Sequence, residues 1–167
     1  MKRDEIALLF KYNAWANARI LSACRRLAPE QLHAPAPCSF NNLIGTLTHI
    51  YIAERLWRLR TQEGISPGSQ EIKLNFPDLD SLTARWQAEE EALLNFTNGL
   101  SEAELDRWVE YTTTSGETQG STLWKILQHL ALHSMQFRAE AGTILAALGH
   151  SPGDIDLIFY LRETDQR

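Results

Sequence analysis

Apolar residues recur at three- and four-residue steps over four long stretches of this chain, and each stretch predicts an amphipathic helix. The first covers about residues 4–27, where Ile6, Leu9, Phe10, Ala14, Ile20, Leu21 and Cys24 make the stripe and Pro29 stops it. Asn13 and Asn17 fall inside that stripe. An unpaired amide there is costly, so each needs a partner, either within the helical core or at a site. A second helix starts at a Ser39 or Asn41 cap and reaches about residue 60, with Leu43, Thr46, His49, Ile50, Ala53, Leu56 and Trp57 along one side. The third spans about residues 81–100 on Leu82, Trp86, Leu93 and Phe96, and its run of Glu89, Glu90 and Glu91 reads as a solvated face. The fourth covers about residues 122–148 and ends at Gly149, with Pro152 and Gly153 marking the next turn.

The connections complete the expected topology. Pro29, Pro35 and Pro37 make residues 28–40 a link between the first two helices. Residues 61–80, with Gly64, Pro67, Gly68 and Pro77, form a long crossover loop; neither flank can build a core alone, so one domain over residues 1–167 is expected. Residues 106–120 carry an aromatic and β-branched run followed by Ser115, Gly116 and Glu117, a pattern suited to a short hairpin. The tail over residues 154–161 is apolar enough to pack back on the helices. The fold class is therefore all-α, a four-helix bundle with a long crossover connection and a short hairpin before the fourth helix.

Composition narrows the function classes. At 44% hydrophobic and 22% charged residues the chain reads as an ordinary globular protein. Its net charge of −5 is spread along the sequence without a basic stripe, which argues against direct nucleic-acid binding. No secretion signal is visible and no apolar run approaches the roughly 18 residues needed to span a bilayer, so a cytoplasmic protein with no membrane partner is expected. Cys24 and Cys38 lack a C-x-x-C pattern and are expected to stay reduced. Neither a phosphate-binding glycine loop nor a nucleophile elbow is present.

The candidate chemistry lies with histidine. His129 and His133 are four residues apart, which places both imidazoles on one face of the fourth helix in chelating geometry. At about 100° per residue, Gln136 and Glu140 continue the same polar seam beside Ile126, Leu130, Phe137, Ala141 and Ile144. Three or four ligands are needed for a structural or catalytic ion, so the pair requires His49 from the second helix, and water. Neutral imidazoles suit zinc, nickel, copper or iron. The competing reading is a hydrogen-bonded network in which the seam satisfies itself with no ion bound, and His49 alone would read as a satisfied core residue.

Three segments carry a family resemblance: Tyr12-Asn-Ala-Trp-Ala-Asn17, Gly45-Thr-Leu-Thr-His49 followed by Ala53-Glu-Arg-Leu-Trp57, and the fourth-helix stretch ending in Leu148-Gly-His-Ser-Pro-Gly-Asp154. Together they resemble the DinB/YfiT-like metalloenzymes, the DNA-damage-inducible family unrelated to the translesion polymerase of similar name. The resemblance covers nearly the whole chain. It implies a four-helix bundle, a homodimer, and a divalent metal held by one histidine of the second helix and two of the fourth. It also implies a metal-activated thiol or water acting on a small-molecule substrate. His49 matches the first ligand. Alignment on Arg138 makes His133 the second, and puts Phe137 where the third should stand. The site is then either rebuilt from His49, His129 and His133 or lost, leaving a non-catalytic, metal-free dimeric bundle. Glu140 is expected to orient a ligand as an acceptor.

Overall fold

The computed structural model describes residues 2–165, and within them seven α-helices and one two-stranded sheet follow one another. Helix α1 (Arg3–Cys24) ends three residues before the expected boundary, and Pro29 does more than stop it: Pro29 opens a short helix α2 (Pro29–His33), where its fixed φ suits the first turn. Helix α3 (Leu43–Arg58) is capped by Asn42, not by Ser39 or Asn41; the Asn42 side chain accepts from the Gly45 amide at 2.8 Å. A π-helical turn over Leu59–Glu63 follows and Gly64 closes it in the left-handed conformation. The crossover then carries the chain to α4 (Leu79–Gly99), capped by Asp78. Helix α5 (Glu102–Leu105), which the apolar pattern does not announce, rests on a Ser101 cap.

The expected hairpin is present. Strands β1 (Trp108–Thr112) and β2 (Thr118–Thr122) pair antiparallel with Glu110 opposite Gly120, and Val109 turns inward to anchor the ribbon. Helix α6 (Leu123–Ala147) leaves β2 directly, with the Leu123 amide donating to the Arg107 carbonyl at 3.0 Å. The tail becomes helix α7 (Leu157–Thr164), whose buried Tyr160 packs against Tyr12 and Trp15 of α1. None of the helices is long and apolar enough to cross a membrane among the described residues.

The four long helices enclose the core, with α1 and α3 each packed against both α4 and α6. Two large apolar clusters fill it, beside a smaller third one of Tyr12, Ala16 and Tyr160 between α1 and α7. One gathers Ile20, Leu47, Ile50, Leu82, Trp86 and Leu145, and the other Ile6, Phe10, Leu93, Leu105, Leu127 and Leu130. Burial of each such side chain contributes about 1.5–3 kcal/mol, but that attraction is non-directional and tolerates sliding of one helix on another. Between the clusters, on every long helix, stand polar side chains: Asn13 and Asn17, Glu54, Glu89 and Glu90, Ser134 and Arg138.

Candidate functional site

His49 comes from the middle of α3 and His133 from the middle of α6, and the packing of those helices brings their Nε2 atoms to 3.2 Å. Residues on either side fix the rings. Gly45 leaves no Cβ where one would meet the Phe40 carbonyl at 2.5 Å, so the loop before α3 lies close and stacks Phe40 on His49 at 4.0 Å and 23°. Phe137 presents its ring at 4.4 Å from His49, edge to face, and at 4.7 Å from His133. Glu140 does not orient a histidine. It accepts from the Ser39 hydroxyl at 2.7 Å and the Ser39 amide at 3.1 Å, and so pins the loop that carries Phe40.

Both imidazoles are kept neutral. Burial pushes the His133 pKa down to about 4, with the nearby His49 and His129 adding to the shift. Burial also lowers His49, opposed by the charge of Glu140. Neutral rings have lone pairs to give. The His133 Nδ1 is buried with no hydrogen-bond partner among the described residues. The contact between the two Nε2 atoms needs one ring to carry its proton there and the other to accept it.

His129 stands apart from the pair. It is exposed, with its ring 5.7 Å from that of His133 and set edge-on to Trp57 at 5.6 Å, beside a cavity of about 260 Å³ bounded by Tyr111, Ser121 and Lys125. The helix does place it one turn from His133, but its outward position leaves the three histidines unconverged. No set of three or more His, Cys, Asp or Glu residues poised around a common point exists among the described residues. The spacing of His49 and His133 matches that of two ligands of one divalent ion: two nitrogens at the usual bond length lie about 3.0–3.4 Å apart in tetrahedral or octahedral coordination, and the Nε2 atoms stand 3.2 Å apart here. His49 also lines a cavity of about 540 Å³ with Asn42, Thr48, Ile52, Asn75 and Phe76, none of them charged.

The polar seam expected on α6 is not one network. Gln136 is exposed, Glu140 serves the loop, and the buried hydrogen bonds run elsewhere, through residues the apolar pattern hides. Glu54, fully buried on α3, accepts from Asn13 at 2.7 Å, Asn17 at 3.2 Å, Ser134 at 3.1 Å and the Trp86 indole at 2.6 Å. Arg138 donates to the amide oxygens of Asn13 and, at 2.9 Å, Asn17, so the two asparagines relay between a buried carboxylate and a buried guanidinium. This answers where the amides in the α1 stripe find partners. The glutamate run of α4 is only partly solvated: Glu89 is buried and clasped by Arg58, and Glu90 accepts from Asn17 at 3.2 Å while burial, then Glu54, raise its pKa to about 7. Glu91 alone faces water. Cys24 and Cys38 are both free thiols, and burial pushes Cys24 up to about 12.

Comparison with known proteins agrees with the resemblance read from the segments above. The DinB family model matches residues 1–167. Protein DinB of Bacillus subtilis (strain 168) is 19% identical over 166 residues, covering 95% of each chain.

Proposed function

This chain belongs to the DinB family, and from that premise we propose that it is a metal-dependent enzyme whose ion is anchored by His49 and His133, with His129 turning in as third ligand. The carrying observation is the 3.2 Å approach of two neutral Nε2 atoms from different helices. The fold reading goes with it: the four long helices are one four-helix bundle domain, and residues 64–78 are its crossover. When bound, a divalent zinc, nickel or iron would act as a Lewis acid that lowers the pKa of a coordinated thiol or water. The remaining work falls to the chain itself. Phe40 holds the His49 ring plane, Phe137 keeps bulk water off the pair, and Asn42, Thr48 and Asn75 offer hydrogen bonds to a small uncharged substrate in the adjoining cavity. In this reading the protein is a cytoplasmic homodimer with no nucleic-acid or membrane partner.

A second reading has its own support. Phe137 packs against both imidazoles at the place where a third ligand would stand, and His129 faces outward, an arrangement suited to a metal-free, non-catalytic bundle. Metal content separates the two. Protein expressed with added Zn²⁺ and never exposed to chelator is expected to carry about one ion per chain, and His49→Ala or His133→Ala to abolish it. A wild-type protein without stoichiometric metal overturns the enzymatic reading and leaves the second.

A further inference from the structure

Only two hydrogen bonds cross directly from α3 to α6 among the described residues: the contact between His49 and His133, and the one from Ser134 to Glu54. The rest of that interface is apolar, so it holds the helices together without fixing their rotation or register. The histidine contact cannot set its own geometry, because one hydrogen bond between neutral rings contributes only about 0.5–1.5 kcal/mol and involves a ring that rotates about two bonds. The second crossing is of a different kind. Glu54 is a carboxylate with no exposure, and it takes donors from α1, α4 and α6 at once. A buried charge that loses its donors is heavily penalised, so these helices are held to the one arrangement that satisfies it.

That arrangement bears on the histidines through short levers. Ser134 directly follows His133, so a bond that fixes Ser134 fixes the backbone on which His133 stands. His49 precedes Glu54 by five residues on the same helix, about 7.5 Å along its axis. We propose that Glu54 is the positioning residue of the histidine pair: its bond to Ser134, backed by Asn13, Asn17 and Trp86, sets the register of α3 on α6 at which His49 and His133 meet. Arg138, one turn further along α6, completes the device by holding the same two asparagines.

Where the pair binds an ion, this inference deepens the function proposed above, but its first test needs no metal. The probe is the nuclear Overhauser effect between the His49 and His133 ring protons in chelator-treated protein. Glu54→Gln keeps the size of the side chain and replaces the charge with an amide that cannot accept from all four donors. The ring-to-ring effect is expected to fall at least twofold in Glu54→Gln. In Leu105→Ala, a cavity variant in the other apolar cluster, it is expected to stay at the wild-type level although the melting temperature drops. A wild-type effect in folded Glu54→Gln overturns the proposal. Should Glu54→Gln fail to fold, Ser134→Ala decides in its place: a weakened effect supports the register role and an unchanged one refutes it. A Co²⁺ titration of the same proteins supplies a second arm. Wild-type binding that falls about tenfold or more in Glu54→Gln is the expected cost of misplaced ligands. No Co²⁺ binding by the wild-type protein counts against the metal reading alone, because the ring contact still reports on Glu54.

Discussion

Two polar clusters lie along the same seam between α3 and α6, and they are finished to different degrees. Around Glu54 every acceptor is used: one carboxylate takes four donors from three helices. Around His49 and His133 the only hydrogen bond among the described residues is the one between them, and the buried Nδ1 of His133 has no partner there. Saturated buried polar groups specify a fold, whereas groups left with spare capacity at the edge of a cavity are available for chemistry. Arg138 complicates the contrast. Its Nε and one terminal nitrogen are buried without hydrogen-bond partners among the described residues, which makes the cationic end of the Glu54 network its costlier half.

The comparison breaks most decisively if the Glu54 network proves dispensable. Removing one member of a buried charge network leaves the other uncompensated, so Glu54→Ala or Arg138→Ala is expected to lose about 3–5 kcal/mol in urea unfolding. His133→Ala in metal-free protein should cost far less. Equal losses at the two sites would erase the distinction between them.

Phe137→His sharpens the histidine side. It exchanges a buried aromatic ring for a polar one and should cost roughly 1–3 kcal/mol of stability. In return it places a nitrogen one turn after His133, and Zn²⁺ affinity, read by competition with a chelating dye, should rise. A folded variant with unchanged affinity would mean that the native histidines already complete the site or that Phe137 closes nothing.

What the sequence disclosed follows the same division. The helices were legible because each buries a continuous stripe, and the meeting of His49 with His133 was legible because both lie on core-facing positions. His129 was not, since four-residue spacing places it near the face of His133 but says nothing of how α6 is rotated against α3. Glu54 was harder still: a glutamate beside Ala53 and Arg55 looks like a helix surface until Asn13, Asn17 and Trp86 are seen to converge on it. The glutamate run misled for a related reason, because Arg58 sits across from Glu89 only after α3 and α4 pack. Caps and short helices such as α2 and α5 escaped because local hydrogen bonds, not apolar periodicity, define them.

The pH dependence of metal-free protein sets the two clusters against each other. Glu90 has a folded pKa of about 7 against an ordinary 4.5, so its proton is held more tightly in the fold; its contribution is complete below about pH 4.5 and is lost as pH rises to 7. His133 runs the other way: with a folded pKa of about 4 against 6.5, its contribution is present above pH 6.5 and is lost as pH falls toward 4. The two slopes oppose, so wild-type stability should vary little on their account between pH 4.5 and 6.5. Glu90→Gln should uncover the His133 slope, with stability climbing as pH rises, and should exceed the wild type by about 1–2 kcal/mol at pH 8. A Glu90→Gln protein with the wild-type profile would detach Glu90 from the buried network. The smallest effect belongs to His129→Ala, expected within about 0.5 kcal/mol of wild-type stability because the ring is exposed. Its influence on Zn²⁺ affinity tells whether it turns in as a ligand.

The most direct test of the account is zinc K-edge X-ray absorption on protein loaded with one equivalent of Zn²⁺. A metal held by the histidine pair gives a shell of nitrogen and oxygen scatterers only, at about 2.0–2.1 Å, with imidazole outer-shell features that disappear in His49→Ala and in His133→Ala. A sulfur scatterer near 2.3 Å, or a spectrum indistinguishable from that of free aqueous zinc, would contradict it.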